Sequence, residues 1–205
     1  MGIYNTYVLP KMINFACSQS STMKQREKII PLVEGRVLEI GVGTGLNIPF
    51  YNASKVDYVM GIDPEVANWK EGKIDVAKLP FEYEFVEAFA EDIPADNHSF
   101  DSVVITYTLC SIPEVALAFD EIRRVMKPNG KLYFCEHGKA PDKVVQKWQN
   151  SINPMWKRIG GGCHLNRDIP SLILESGFKI QELEEMYIPG WKPLSYNYWG
   201  SAKVD

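Results

Sequence analysis

The chain has only three histidines and four cysteines in 205 residues. Cys17, Cys110, Cys135 and Cys163 are scattered, without the paired spacing of a disulfide framework or a zinc knuckle. That pattern argues against a stapled scaffold, gives no expectation of a metal ion, and fits a reducing, cytoplasmic setting. No apolar run approaches the roughly 20 residues of a membrane span, and no signal peptide is visible. Met1-Gly2 with Thr6 matches only the short, common myristoylation pattern. Excess positive charge is lacking too. The 22 Lys and Arg against 26 Asp and Glu leave a net charge of −4, which argues against nucleic acid as a partner. Repeats, low-complexity stretches and linkers are absent, so residues 1–205 read as one domain with a core.

What is present is an alternation of strand-like and helix-like segments, the pattern of a parallel sheet covered on both faces. Strands are expected at Arg36–Ile40, Tyr58–Asp63, Glu82–Val86, Ser102–Thr106 and Lys131–Glu136. Phe178–Glu184 and Tyr198–Val204 read as a terminal antiparallel pair. Helices are expected over Pro64–Lys78, over Ala116–Met126 with Ala116, Phe119, Ile122 and Val125 at helical spacing, and over Ile169–Ser176 before Gly177. Lys127-Pro128-Asn129-Gly130 stops the second of these, because proline cannot extend a helix. The expected class is therefore α/β, a Rossmann-like, seven-stranded, mostly parallel sheet with helices on both faces. Two stretches fall outside the alternation. Residues 1–34, with Tyr4, Tyr7, Met12, Phe15 and Met23, read as an N-terminal helical lid. Residues 140–168, with Trp148, Met155 and Trp156, read as an acceptor-side insertion.

The most informative stretch is Arg36-Val37-Leu38-Glu39-Ile40-Gly41-Val42-Gly43-Thr44-Gly45-Leu46-Asn47. A β-branched strand enters a turn in which every second residue is glycine, so a ligand can press against the backbone and meet free N–H groups. About twenty residues later a second strand ends in Asp63, the place where an acid holds a ribose diol. Together they point to a bound nucleoside. Glu39, two residues before the first glycine, would repel a pyrophosphate and suits an ammonium group. S-adenosyl-L-methionine offers an amino-acid end, a sulfonium and a ribose without phosphate.

Glu39-x-Gly41-x-Gly43-x-Gly45 followed by Asp63 resembles the first two motifs of class I S-adenosylmethionine-dependent methyltransferases, and nearly the whole chain resembles a methyltransferase type-11 domain. The resemblance implies S-adenosyl-L-methionine as cofactor. Its candidate contacts are Glu39, Gly41, Gly43, Thr44, Gly45, Asn47, Asp63 and Pro64, then Ala90, Glu91 and Asp92 in a segment like the family's adenine loop, and Thr106 and Tyr107 after the fourth strand. Phe89 stands where the family carries an acid or amide, which shifts adenine recognition toward stacking and backbone contacts. For Asp92, capping a turn is as good a reading as binding the adenine amine.

Glu39 to Tyr51 looks like bacterial phosphatidylethanolamine N-methyltransferases. Thr108-Leu109-Cys110-Ser111, Tyr133 to His137, Asn153 to Trp156, Gly162 to Asp168 and Tyr198 to Lys203 resemble the methyltransferase-like seven family, whose animal members methylate alkyl thiols. The hydrophobic N-terminal anchor of those members is missing from this sequence. The expected function is methyl transfer to a small or lipid-like apolar acceptor, a thiol first. Phospholipid head-group N-methylation, quinone-type C/O-methylation and a cofactor-binding regulator are the alternatives. No obligate protein partner is evident, and the N-terminal segment is a candidate for peripheral membrane contact.

His137, after the fifth strand, and His164, beside Arg167 and Asp168, are the candidates to take a proton or polarise the acceptor; either could instead bond neighbouring backbone. Cys110 reads as a small wall residue, and Asp168 as a helix cap.

Overall fold

A computed structural model of the chain describes residues 8–204. Tyr4, Tyr7 and the myristoylation pattern lie outside the described residues. Two helices, α1 (Leu9–Cys17) and α2 (Ser20–Ile29), precede β1 (Gly35–Ile40). There follow β2 (Val56–Ile62), α3 (Val66–Gly72), β3 (Glu82–Val86), β4 (Phe100–Thr106), α4 (Val115–Val125) and β5 (Met126–His137). The chain closes with α5 (Lys143–Ile159), α6 (Ile169–Glu175), β6 (Phe178–Tyr187), α7 (Lys192–Ser195) and β7 (Tyr196–Val204). The strands form one seven-stranded sheet in the order β3-β2-β1-β4-β5-β7-β6. β1 to β5 pair in parallel, and β7 runs antiparallel to both β5 and β6. This is the expected Rossmann-like architecture.

Alternation along each strand sends side chains to opposite faces. Leu38, Ile40, Val103, Ile105 and Phe134 join one core with Phe119 of α4 and Ile173 of α6. Val37, Val104, Tyr133 and Cys135 join the other, where Ile29 of α2 and Trp69 of α3 pack. Because both faces are covered, the central strands are apolar almost throughout rather than alternating in hydrophobicity.

Several boundaries differ from the expectation. The helix expected over Pro64–Lys78 is only Val66–Gly72, followed by a 3-10 turn at Val76–Lys78. It stops because Lys73 takes φ +51°, and because α3 passes so close to the glycine-rich turn that a Cβ on Gly72 would lie 2.3 Å from the Thr44 carbonyl. β5 begins at Met126, not Lys131. The residue before a proline is held extended, so Lys127 continues the strand. The extra residues bulge out, since Phe100 pairs with Met126 and Ser102 with Lys131. On α4 the buried face is Ala118, Phe119, Ile122 and Val125, while Ala116 is exposed. Residues 140–168 contain the 17-residue α5.

Phe119 is fully buried and meets Phe178 with ring centroids 5.5 Å apart. Replacing Phe119 with Ala should cost about 3–5 kcal/mol, read from the urea midpoint. A loss under 1 kcal/mol would mean that α4 does not anchor this face of the sheet.

Candidate functional site

The chain leaves β1 in one direction through β2 and β3, then returns to place β4 on the other side of β1. At such a reversal the loops beyond the strand ends diverge and leave a crevice. A cavity of about 490 Å³ lies there. Its walls are the turn Gly41 to Thr44, Asp63 to Glu65, Ala88 to Glu91 and Thr106 to Thr108, with Leu9, Pro10 and Ile13 of α1 on the remaining side. A second hollow, about 390 Å³, surrounds the Lys127–Asp101 ion pair at the opposite end of the strands.

The three glycines of the turn all have positive φ, at +71°, +55° and +79°, and each has a different neighbour. A Cβ on Gly41 would sit 2.2 Å from the Thr108 Oγ1, whereas one on Gly45 would press on Ile48 and Ile74 at 3.0 Å. A Cβ on Gly43 would meet nothing within 4 Å. Of the three, Gly43 alone has open space where a Cβ would stand, while Gly41 and Gly45 let the protein pack on itself. Asp63 is buried at the cavity edge. It accepts the Gly43 N–H at 2.9 Å and the Glu65 N–H at 2.8 Å, and burial raises its carboxyl above the ordinary value.

Beneath the turn lies a buried polar network. Asn47 donates to Glu39 at 2.9 Å and to the Thr106 hydroxyl at 3.0 Å, and Tyr51 donates to Glu39 at 2.7 Å. Arg26, from α2, donates to the Asn47 Oδ1 at 2.7 Å and to Thr106 at 2.5 Å. Its guanidinium lies over the Tyr107 ring, 4.9 Å from the centroid. Tyr107 takes φ +53°, strained for a bulky residue, and its hydroxyl donates to Asn197 at 2.7 Å. Arg26 lines the cavity, and its buried Nε has no partner among the described residues. α1 joins the turn through Thr44, which donates to Asn14 at 2.8 Å.

Of the sequence candidates, Gly41, Gly43, Thr44, Asp63, Pro64, Ala90, Glu91, Thr106 and Tyr107 line the cavity. Glu39, Gly45 and Asn47 sit one layer below. Asp92 is exposed, outside the wall. Arg26 and Asn14 had no signal in the sequence. α2 reads as a polar helix, and only its packing shows that Arg26 points inward.

His137 and His164 also stand behind the wall. His164 is held down to about 4 by partial burial and by the Arg167 and Lys157 cations. His137 is buried, with its Nε2 3.3 Å from the Cys163 Sγ. Burial disfavours its charge, yet Cys110 and Glu136 beside it raise its pKa. Glu136 accepts the Thr108 and Leu109 N–H groups at 2.7 and 3.0 Å and so fixes the β4–α4 loop. Asp168 caps α6 by accepting the Ser171 N–H at 3.3 Å.

Residues 38–134 match the family model described as "Methyltransferase domain". Thiol S-methyltransferase TMT1B of Rattus norvegicus is 35% identical over 176 residues, 82% of this chain and 70% of that protein. Demethylmenaquinone methyltransferase of Clavibacter sepedonicus is 32% identical over 123 residues, 58% of this chain and 48% of that protein. Among solved structures, a SAM-dependent methyltransferase from Methanosarcina mazei superposes with a TM-score of 0.67 at 20% identity, over 82% of this chain and 92% of that one.

The glycines make a paired test. Gly41→Ala should cost about 2–4 kcal/mol, from left-handed strain plus overpacking against Thr108. Gly43→Ala should cost only the strain, about 1–2 kcal/mol, while filling part of the cavity. Equal losses in urea unfolding would reject this division. Glu39 gives a pH test. Burial pushes its carboxyl from 4.5 up to about 7, so the fold holds a proton that the unfolded chain has released. The stability from that proton is complete below pH about 4.5 and is lost as pH rises through 7. Wild type should therefore lose on the order of 3 kcal/mol relative to Glu39→Gln across that window. A constant difference between the two would overturn this assignment.

Proposed function

The chain belongs to the class I S-adenosyl-L-methionine-dependent methyltransferases, and on that footing we propose that it methylates a small, apolar thiol. S-adenosyl-L-methionine supplies an electrophilic methyl group on a sulfonium. The residues present fit it. Asp63 offers a carboxylate edge to a ribose diol, Gly43 a bare backbone at which a Cβ would enter the ligand's space, and Arg26 an unpaired buried Nε to a carboxylate. Exposed Phe89 offers an aromatic face to adenine, with Ala90 and Glu91 beside it.

The relation to a thiol S-methyltransferase over 82% of this chain carries the choice of acceptor. The quinone relative covers less of both chains. Chemistry at the wall supports the same choice. Of the ionisable groups on the wall around Arg26, Tyr107 and Ser111, burial pushes Cys17 up to about 11 and raises Tyr107 well above its ordinary value, while Glu39 and His137 do not line the cavity. His164 holds its proton too weakly to take one from an acceptor. A thiol, with a pKa of about 8.5, supplies its own anion, whereas phenols and protonated amines hold the proton more tightly. Catalysis then rests on alignment and on excluding water, with α1 acting as the lid.

The apolar acceptor and peripheral membrane contact belong to the same reading. Val8, just before α1, and Ile13 and Phe15 of α1 are exposed, as are Val144, Trp148 and Met155 on α5 beside Lys143, Lys147 and Arg158. An apolar stripe flanked by cations suits an anionic bilayer surface. Among the described residues no helix is long and apolar enough to cross a membrane.

Asp63→Ala should weaken cofactor binding at least tenfold, a loss of roughly 1.5–3 kcal/mol for a charge-assisted bond. Calorimetry showing unchanged affinity would discard the ribose contact. With a labelled methyl donor, turnover of an alkyl thiol should exceed that of a quinol or an ethanolamine phospholipid. A preference for the quinol or the amine would replace the thiol reading.

A further inference from the structure

Three side chains that the methyl-donor cavity does not use converge behind its wall. Cys110 lies in the β4–α4 loop, His137 ends β5, and Cys163 follows α5. Their ligand atoms all lie within 4.8 Å of one another. Two sulfurs and an imidazole nitrogen around one point are the donor set of zinc, and they leave a tetrahedral ion one position short. In sites built this way the open position takes water or substrate.

The neighbourhood is built to hold these donors in place. The Arg167 guanidinium donates to the carbonyls of Leu109 and Ile112, on either side of Cys110. The His164 N–H donates to the Cys110 carbonyl at 2.8 Å, locking the two cysteine loops together. Leu165 is tied to α5 by its N–H donating to Asn153 at 2.9 Å. Gly161 and Gly162 take φ of +62° and +86°, turns that a side chain would resist. Cys110 and His137 are buried and Cys163 is half-buried. Ser111, whose Oγ lies 3.5 Å from the Cys110 Sγ, lines the cavity, as does Gly161 two residues before Cys163. These two residues join the cluster to the cavity wall.

We propose that Cys110, His137 and Cys163 bind one zinc ion whose fourth position takes the sulfur of the acceptor. This rests on the thiol reading above. On coordination the acceptor's S–H bond breaks, its proton passes to water, and the sulfur stays on the ion as thiolate. That sulfur's electron pair forms the new S–CH3 bond while the sulfonium C–S bond breaks, its electrons remaining on the departing neutral thioether. The metal is neither oxidised nor reduced. The methylated acceptor, no longer an anion, binds the ion more weakly and leaves.

The test uses the reduced full chain, stripped with a chelator and titrated with zinc against a chromophoric competitor, then loaded with cobalt(II) for absorption spectra. One equivalent of zinc should bind. Cobalt should give tetrahedral and thiolate charge-transfer bands, and these should shift when a short alkyl thiol is added. Cys110→Ser, Cys163→Ser and His137→Gln should each lower metal affinity at least tenfold, and Cys17→Ser, outside the cluster, should keep it; circular dichroism checks that each variant folds. Failure to bind zinc, cobalt bands that ignore the thiol, or undiminished thiol turnover after chelation would each overturn the site. A chain whose cobalt bands respond to thiol while only a quinol or amine is methylated would uphold the metal site and refute the thiol reading instead.

Discussion

Arg26 ties α2 to the end of the sheet. A buried charge is costly unless its donors are used. Arg26 spends one nitrogen on Asn47, in the loop after β1, and on Thr106, the last residue of β4. Asn47 passes the connection on to Glu39, and Glu39 to Tyr51. The glycine turn, the strand ends and α2 therefore share one network. Arg26 also lines the cavity, and its buried Nε has no partner among the described residues.

That network changes the meaning of the acid in the motif. Glu39 is enclosed, with its oxygens taken by Asn47 and Tyr51, and its carboxyl is raised to about 7 by burial. It reaches the cavity only through Asn47. The acid at the surface of the site is Asp63. The glycines divide in the same way, since Gly41 and Gly45 are small for the sake of Thr108, Ile48 and Ile74, and only Gly43 is small toward open space. A spacing that reads as one motif is thus three local solutions to close packing, one of which faces a ligand.

Around the β4–α4 loop the logic is looser in sequence and tighter in space. The β4–α4 loop, the end of β5 and the turn after α5 are joined by Arg167, Glu136 and the His164 backbone rather than by any secondary structure. These joints bring two thiols and an imidazole together beside the cavity. They also explain why neither histidine lines the cavity: His137 is enclosed by β5 and its neighbours, and His164 turns its backbone toward Cys110.

Local physics was legible in the residues themselves. Strand pattern depends on alternation and β-branching, turns on glycine and proline, and caps on one side chain, so the sheet, the glycine turn, Asp63 and the Asp168 cap could all be read from the chain. Errors arose where distant parts meet. α3 ends early because it runs into the backbone of the glycine turn at Thr44, and β5 starts early because residues before Lys131 bulge against Phe100. Arg26 is one polar residue on a polar helix until the fold turns it inward. Cys110, His137 and Cys163 lie far apart along the chain, and only parallel crossovers bring them within 4.8 Å. Sequence by itself determined which backbone conformations were cheap; the tertiary structure decided which side chains share a dry space, because that depends on contacts between residues far apart in the chain.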